Sequence, residues 1–182
     1  MKKIVTLSCL IICLTSCKDE KDTSFSIITD RVGKLDRISL VRDLDIIYEN
    51  DSIVKDSTIA NRANNSKKIK IFEKGGKPLL TLTPNSDSIP TIENIRIEDP
   101  RFTTEKGVGL NSTFKDIKDN YTIRKVITSM NNVVILLKDS DVYFTISKEE
   151  LPSSLRYASS VNIEAVQIPD DAKIKYMMVA WD

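Results

Sequence analysis

The sequence predicts an α+β protein made of two related units, each a short helix packed on a small antiparallel β-sheet. A segment from Ser39 to Tyr48 aligns without gaps to a segment from Ser112 to Tyr121, and β-rich runs separated by turn signals follow both. The chain has 182 residues, of which 41% are hydrophobic, and a net charge of only +1. This composition is that of a folded domain and not of a disordered chain.

Both repeated segments have the pattern of a short amphipathic helix. Their apolar residues recur at intervals of three and four, which places them on one helical face. Ser39 and Ser112 are each predicted to cap the first free backbone N–H groups. Neither helix is long enough to be stable alone, so each is expected to pack on a sheet. The alternative to duplication is a chance similarity between two capped helices.

The strands are predicted from apolar alternation and from turn residues. Those after the first helix are residues 52–55, 58–63, 68–72 and 79–82, and those after the second are residues 122–128, 133–138 and 142–146. Gly75-Gly76 and Asp139-Ser140 are predicted hairpin turns. Residues 133–137 are apolar at every position, which favours a central strand covered on both faces.

Residues 95–97 alternate with polar neighbours, so this strand is expected to be half exposed. Residues 148–157 are predicted to contain a brief helical turn. Residues 162–167 and 173–181 are predicted to form the last strands, with Trp181 in the core or covering a sheet edge.

The N-terminus has the layout of a secretory signal, with Lys2 and Lys3 before an apolar run over residues 4–14. That run is shorter than the roughly 20 apolar residues of a lasting membrane helix. The region Leu14-Thr15-Ser16-Cys17 resembles the lipobox of bacterial lipoproteins. The resemblance implies cleavage before Cys17 and attachment of lipid to its thiol, often with acylation of the new amine. An ordinary signal peptide with an incidental Cys is the alternative.

The predicted organisation is a signal peptide at 1–16, a lipidated tether at 17–24, a first unit at 25–90 and a second at 91–182. Cleavage removes Cys9, Cys13 and two of the 27 basic residues, but none of the 26 acidic ones. The mature chain then has one blocked Cys and no possible internal disulfide. Because its net charge is near zero, composition gives no electrostatic argument for nucleic acid.

Lys18-Asp19-Glu20 resembles the surface-export signal of Bacteroidota lipoproteins. The resemblance implies a lipid anchor in the outer membrane with the protein on the cell surface. A plain solvated tether that faces the periplasm is the alternative, since charge runs are usually only solvated.

The stretch 95–113 resembles segments in uncharacterised Bacteroidota lipoproteins, in which a Pro, an aromatic residue and a Thr precede Gly-apolar-Gly-apolar-Gly-Ser-Thr. Asn111 stands where the third Gly is common. The resemblance implies a class of lipoprotein and no activity. Gly107 and Gly109 could let the backbone cradle an anion before the second helix, although a structural turn is favoured because an isolated Gly-x-Gly is a weak signal. The candidate ligand or partner contacts are Arg101, Thr103, Thr104, Gly107, Gly109, Asn111 and Ser112.

The sequence contains no His, which excludes Ser-His-Asp and Cys-His catalysis and the usual zinc sites. Ser112 and Lys115 have the spacing of the Ser-x-x-Lys motif of penicillin-binding enzymes. Ser52 and Lys55 have the same spacing, and the companion motifs are missing, so a capping Ser and a solvated Lys are favoured. We therefore predict no catalytic residue, no metal and no cofactor.

The leading functional hypothesis is a non-enzymatic envelope lipoprotein that binds an envelope protein or glycan through a sheet face or edge. The alternatives are a His-independent hydrolase and a lipoprotein that binds a small polar ligand at the Gly107 loop. Lysines on the 68–82 hairpin, Lys68, Lys70, Lys74 and Lys77, could face lipid headgroups or an anionic partner, although they could also keep an edge strand soluble.

Overall fold

The computed structural model describes residues 23–55, 68–156 and 162–181. In these residues the chain forms an eight-stranded sheet, a four-stranded sheet and a few short helices. The predicted mixture of helix and sheet is confirmed, with strands in the majority.

The twelve strands are β1 (Ser26–Ile28), β2 (Arg31–Val32), β3 (Leu35–Asp36), β4 (Ser52–Lys55), β5 (Ile69–Phe72), β6 (Pro78–Pro84), β7 (Ile92–Ile97), β8 (Thr103–Thr104), β9 (Ile123–Thr128), β10 (Asn132–Leu137), β11 (Val142–Ser147) and β12 (Ile174–Ala180). The α-helices are α1 (Leu44–Ile47), α2 (Phe114–Asn120) and α3 (Ser153–Arg156). Short 3-10 turns span Val41–Asp43, Lys148–Glu150 and Ala165–Gln167.

The large sheet has the strand order β4-β5-β6-β7-β12-β11-β10-β9 and is antiparallel throughout. Strands β4–β7 form one meander, β9–β12 form another, and pairing of β7 with β12 joins them. The expectation of a separate small sheet in each half is corrected accordingly: the strands after both helices share one sheet. The physical reason is that β7 and β12 would each expose a free edge, and their pairing satisfies those backbone groups.

One face of the large sheet carries the core. A continuous row of apolar side chains crosses all eight strands through Ile53, Ile71, Leu80, Ile97, Met177, Phe144, Ile135 and Val126. The small sheet, with order β3-β2-β1-β8, and helices α1 and α2 contribute buried residues to the same core. Among these residues, Leu35, Leu44 and Ile117 are fully buried. As expected, neither helix stands free of the sheet.

The helix caps differ from the predicted ones. Ser39 lies outside the first helical segment, and its hydroxyl accepts a hydrogen bond from the Asp36 N–H at 3.2 Å. Helix α2 begins after Thr113, whose N–H and hydroxyl both donate to the Asp116 carboxylate, at 2.7 and 3.0 Å. The cap therefore lies one residue beyond Ser112, because Asp116 stands three residues after Thr113 and completes a capping box with it.

Most predicted strands are confirmed. The hairpin turns at Gly75-Gly76 and at Asp139-Ser140 connect β5 to β6 and β10 to β11. The half-exposed pattern of β7, the helical turn after Lys148 and the last strand with its buried Trp181 are also present. Residues 58–63 lie outside the described part of the chain.

Two strand predictions are wrong. Residues 162–167 contain a 3-10 turn over Ala165–Gln167, because Glu164 and Gln167 form a reciprocal cap in which the Glu164 N–H donates to the Gln167 side chain at 2.9 Å. Strand β10 is covered on one face only, since Val134 and Leu136 are half-buried while the residues between them are buried. Among the residues that the structure describes, helices and the small sheet thus pack on one face of the large sheet only.

Candidate functional site

The predicted ligand loop forms a shallow polar cleft. Thr103, Gly107, Gly109, Asn111 and Ser112 line a space of about 320 Å³ beside the start of α2. The structure therefore brings together five of the seven predicted contacts. Arg101 and Thr104 do not line this cleft.

The backbone donors of this loop are used within the loop itself. The Gly107 N–H donates to the Thr104 carbonyl at 2.8 Å, and the Val108 N–H donates to the Thr104 hydroxyl at 3.2 Å. The Gly109 N–H donates to the Ser112 hydroxyl at 3.1 Å. An anion cradle needs free N–H groups that converge on the ligand, so this arrangement favours the structural turn.

Gly107 and Gly109 are required by the backbone conformation and the close packing of the loop. Gly107 has φ = +77°, which disfavours residues with a side chain. A Cβ atom on Gly109 would lie 2.6 Å from the Phe102 carbonyl oxygen. Close packing of the chain thus explains the Gly-x-Gly spacing without a ligand.

Arg101 belongs to a charge cluster around the buried Asp99 instead of the cleft. Its guanidinium contacts the fully buried Asp99 at 2.7 Å, makes two 3.0 Å hydrogen bonds to Glu73 and lies 4.1 Å from the ring centre of Phe25. Lys77 Nζ reaches the same Asp99 carboxylate at 3.0 Å. Arg101 therefore ties the β5–β6 hairpin to the chain entering β1.

The pKa of Asp99 reflects this cluster. Burial by itself would raise the pKa of the carboxyl group, but hydrogen bonds from Arg101 and Lys77 outweigh it and hold the pKa well below its ordinary value. Asp99 is therefore a charged structural group and not a candidate general acid.

A second cavity lies at the seam between the two sheets. It has a volume of about 330 Å³ and lies between the end of β1, residues 104–106 and the β10–β11 turn. Thr104, Glu105, Lys106, Lys138 and Asp139 are among its lining residues, so charges of both signs are mixed there. In the described residues no group of three or more potential metal ligands is present.

The geometry around Ser112 does not form a Ser-Lys dyad. Ser112 accepts from the Gly109 N–H, and Lys115 is paired with Asp119. The hydrogen bond to Asp119 raises the pKa of Lys115, whereas a lysine acting as general base needs a lowered pKa.

A surface that the sequence did not single out is the outer face of the large sheet, the face opposite the core. We call it the open face. Its centre contains Arg96, Tyr143, Tyr176 and Met178, which lie on β7, β11 and β12 and are all half-buried. The Arg96 guanidinium lies 4.0 Å from the Tyr176 ring centre, and Asn94 donates to the Tyr143 hydroxyl at 2.9 Å. The centre of the open face therefore presents two tyrosines held by polar contacts with side chains of β7.

The open face is also strongly basic. Register and side-chain contacts place Glu98 on it, which contacts Thr81 at 2.9 Å and Arg96 at 3.3 Å, and Asp141, paired with Arg37 at 2.8 Å, lines the depression beside Arg124. The basic residues on it are Lys70, Arg96, Arg124, Lys125 and Lys175. Since the whole chain has a net charge of only +1, folding concentrates positive charge on this face.

Apolar side chains continue the open face toward the β9 edge. Val134 and Leu136 of β10 are half-buried, and Ile127 of β9 is 40% exposed. A depression of about 150 Å³ lies among Arg124, Leu136 and neighbouring residues of β11 and β12. In the sequence, the residues of this face are the alternate positions of each strand. They can be recognised as one surface only once the strand order is known.

Within the described chain, the helices are short, and none is long and apolar enough to cross a membrane. Strands β9 and β4 form the two outer edges of the large sheet.

Comparison with known proteins identifies a fold relative and no functional one. No protein-family model and no curated protein matches the sequence. A crystal structure of the uncharacterized protein yfeY from Escherichia coli matches 87% of this chain and 99% of that chain, with a TM-score of 0.56 and 15% sequence identity. At this identity the likeness shows a shared fold and nothing about activity.

Proposed function

We propose that this protein is a lipid-anchored lipoprotein of the cell envelope that binds another envelope protein through its open face, without enzymatic activity. The observation that carries the proposal is a large sheet with one face packed against helices and a second sheet, while no described helix or sheet packs on the other face. Half-exposed aromatic and apolar groups cluster on the open face, as they do at protein contact surfaces.

The proposed anchor rests on the lipobox that ends at Cys17, a residue outside the described part of the chain. Thr23, the first described residue, is six positions after Cys17, so the lipid is tethered within roughly 20 Å of it. Thr23 leads into β1, which belongs to the layer on the core side of the large sheet. This placement favours an anchor on the covered side of the molecule, with the open face directed away from the bilayer. The membrane in question is the outer membrane, at its periplasmic face or at the cell surface.

The anchor has a direct test in Cys17→Ser. The variant removes the thiol that would carry the acyl chains, so the protein is expected to leave the membrane fraction or to stay unprocessed. Membrane fractionation measures release from the membrane, and the intact mass of the chain measures processing. Unchanged membrane retention with normal processing would contradict the anchor, and Cys13→Ser, within the signal, is the matched control.

We also propose that the two meanders descend from one duplicated unit. Each follows a helix that begins near the same Ser-to-Tyr pattern, and the two occupy mirrored positions in the strand order around the β7–β12 pair. The matching order of helix, then meander, supports the proposal more than the short sequence match does.

Occupation of the open face is tested by labelling single cysteines with a membrane-impermeant maleimide. Cys17 is expected to be blocked, so Ile127→Cys on the open face and Ile46→Cys on α1 each introduce one reactive thiol. The first is expected to be labelled severalfold more slowly in native envelopes than in purified protein reconstituted in liposomes, because a bound partner excludes the reagent while the bilayer is the same in both. The second, 74% exposed on the other layer, is the control and is expected to react similarly in both.

A further inference from the structure

We propose that the partner of the open face is a protein that presents an acidic surface, and that the Arg96–Tyr176 pair is its main anchoring point. This inference rests on the proposed function and adds the chemistry of the partner. Its basis is the set of hydrogen bonds and ion pairs made by the basic groups on that face.

The Arg96 guanidinium has unused hydrogen-bonding capacity. Within the described chain it stacks on Tyr176 at 4.0 Å, and its buried Nε lies 3.3 Å from Glu98 Oε1 in an ion pair but makes no hydrogen bond. A guanidinium carries five N–H donors in a planar fork that matches a carboxylate. Stacking on the ring holds that fork in one orientation, so Arg96 is prepared for an Asp or Glu of a partner.

Unlike Arg96, the surrounding cations have no ion pair within the described residues. Lys70, Arg124 and Lys125 make no ion pair within the described residues, and Lys175 contacts the Asn132 side chain at 3.2 Å. Of the described acidic groups there, Glu98 accepts from Thr81 and is paired with Arg96, and Asp141 is paired with Arg37. The face thus complements a surface of excess Asp and Glu, which would also steer association.

The arrangement of residue types favours a protein over other polyanions. Tyr143, Tyr176, Met178 and Arg96 occupy the centre, and lysines lie around them. Protein interfaces are enriched in aromatic residues, Met and Arg at their centre, with charged groups toward the rim. An apolar centre of this kind is matched by apolar side chains of a protein.

The anchor geometry argues against lipid as the occupant. The chain enters the described fold at Thr23, beside β1, on the layer opposite the open face. A headgroup layer that holds the anchor would meet the covered side first. The basic face is then available to a protein in the adjoining compartment.

The test is site-specific photocrosslinking with the full-length, membrane-anchored chain in its native envelope. Ile127 is replaced by a photoreactive phenylalanine analogue, and the crosslinked peptide is sequenced by mass spectrometry. Into this background we introduce Arg96→Gln together with Lys70→Gln, and separately Arg96→Lys. Arg42→Gln on the other layer, where the side chain is 74% exposed, is the matched control. Circular dichroism of each purified variant confirms folding.

We expect one protein adduct whose crosslinked segment has an excess of Asp and Glu. Its yield should fall about tenfold or more in the Arg96→Gln/Lys70→Gln variant, fall less in Arg96→Lys and stay unchanged in Arg42→Gln. Raising the ionic strength should lower the yield.

Failure of this inference differs from failure of the proposed function. A protein adduct that is insensitive to the charge changes, or a crosslinked segment without excess acid, overturns the acidic partner and leaves the binding module intact. An adduct with lipid, glycan or nucleic acid overturns the protein partner. Absence of any adduct from the open face overturns both.

Discussion

At the scale of the residue, a single buried carboxylate joins three parts of the chain. Asp99 follows β7, its partner Arg101 leads into β8, and Lys77 and Glu73 flank the β5–β6 turn. Arg101 also stacks on Phe25, so the cluster fixes the start of β1 against the large sheet. A buried charge is stable only while it is paired, which makes this cluster sensitive to the loss of one member.

Asp99→Asn is therefore expected to lower the free energy of unfolding by about 1–3 kcal/mol, because charge-assisted hydrogen bonds to Arg101 and Lys77 are lost. Chemical denaturation at neutral pH measures the change. The matched control is Asp45→Asn, whose carboxylate is 64% exposed in its 3.0 Å pair with Lys55 and should contribute less than about 0.5 kcal/mol. Equal effects from the two substitutions would contradict the role given to Asp99.

The same cluster implies a pH dependence. The folded state holds the pKa of Asp99 below its ordinary value, so its stabilisation is complete above that ordinary pKa, near 4, and is lost as the pH falls toward the folded pKa. The decrease in stability between about pH 5 and pH 3 should thus be smaller in Asp99→Asn than in the parent protein.

At the scale of the element, the stability of helix α2 depends on hydrogen bonds at its N-terminal end. It has seven residues, too few for an isolated helix, and its first N–H groups are satisfied from outside the helix. The Phe114 and Lys115 N–H groups donate to the carbonyls of Ala172 and Asp170, both at 2.9 Å, and Asp116 accepts from Thr113. The hydrogen bonds from Thr113 lower the pKa of Asp116, which keeps it ionised.

Asp116→Ala is expected to destabilise the protein by about 0.5–2 kcal/mol, since it removes the acceptor of the capping box. The control on the same helix is Asp119→Ala, which breaks only a surface pair with Lys115 and should cost about 0.5 kcal/mol or less. Thermal unfolding of both variants makes the comparison. A larger effect at Asp119 than at Asp116 would show that the cap does not hold the helix.

Local elements were predictable and distant pairings were not. The turns at Gly75-Gly76 and Asp139-Ser140 follow from neighbouring residues, and so do the strands they connect. The pairing of β7 with β12 joins residues about 80 positions apart, such as Ile97 and Met177, and no local pattern specifies it. The strand predicted at 162–167 failed because the local cap of Glu164 with Gln167 outweighs apolar alternation.

At the scale of the whole molecule, folding turns a nearly neutral chain into one with two unlike sides. One side contains the small sheet, the helices and Thr23, where the described chain begins. The other side is the basic open face. The sequence identified the Gly107 loop because Gly107 and Gly109 lie two positions apart in the chain. It could not identify the open face, whose central residues come from β7, β11 and β12 and meet only through the strand order.

The proposed function requires that the open face contacts a partner in the envelope. The most direct measurement is the maleimide labelling rate of Ile127→Cys in native envelopes, divided by its rate in purified protein reconstituted in liposomes, and compared with the same ratio for Ile46→Cys. We predict a ratio well below one at position 127 and close to one at position 46. Ratios that are equal at the two positions would contradict the proposed binding surface.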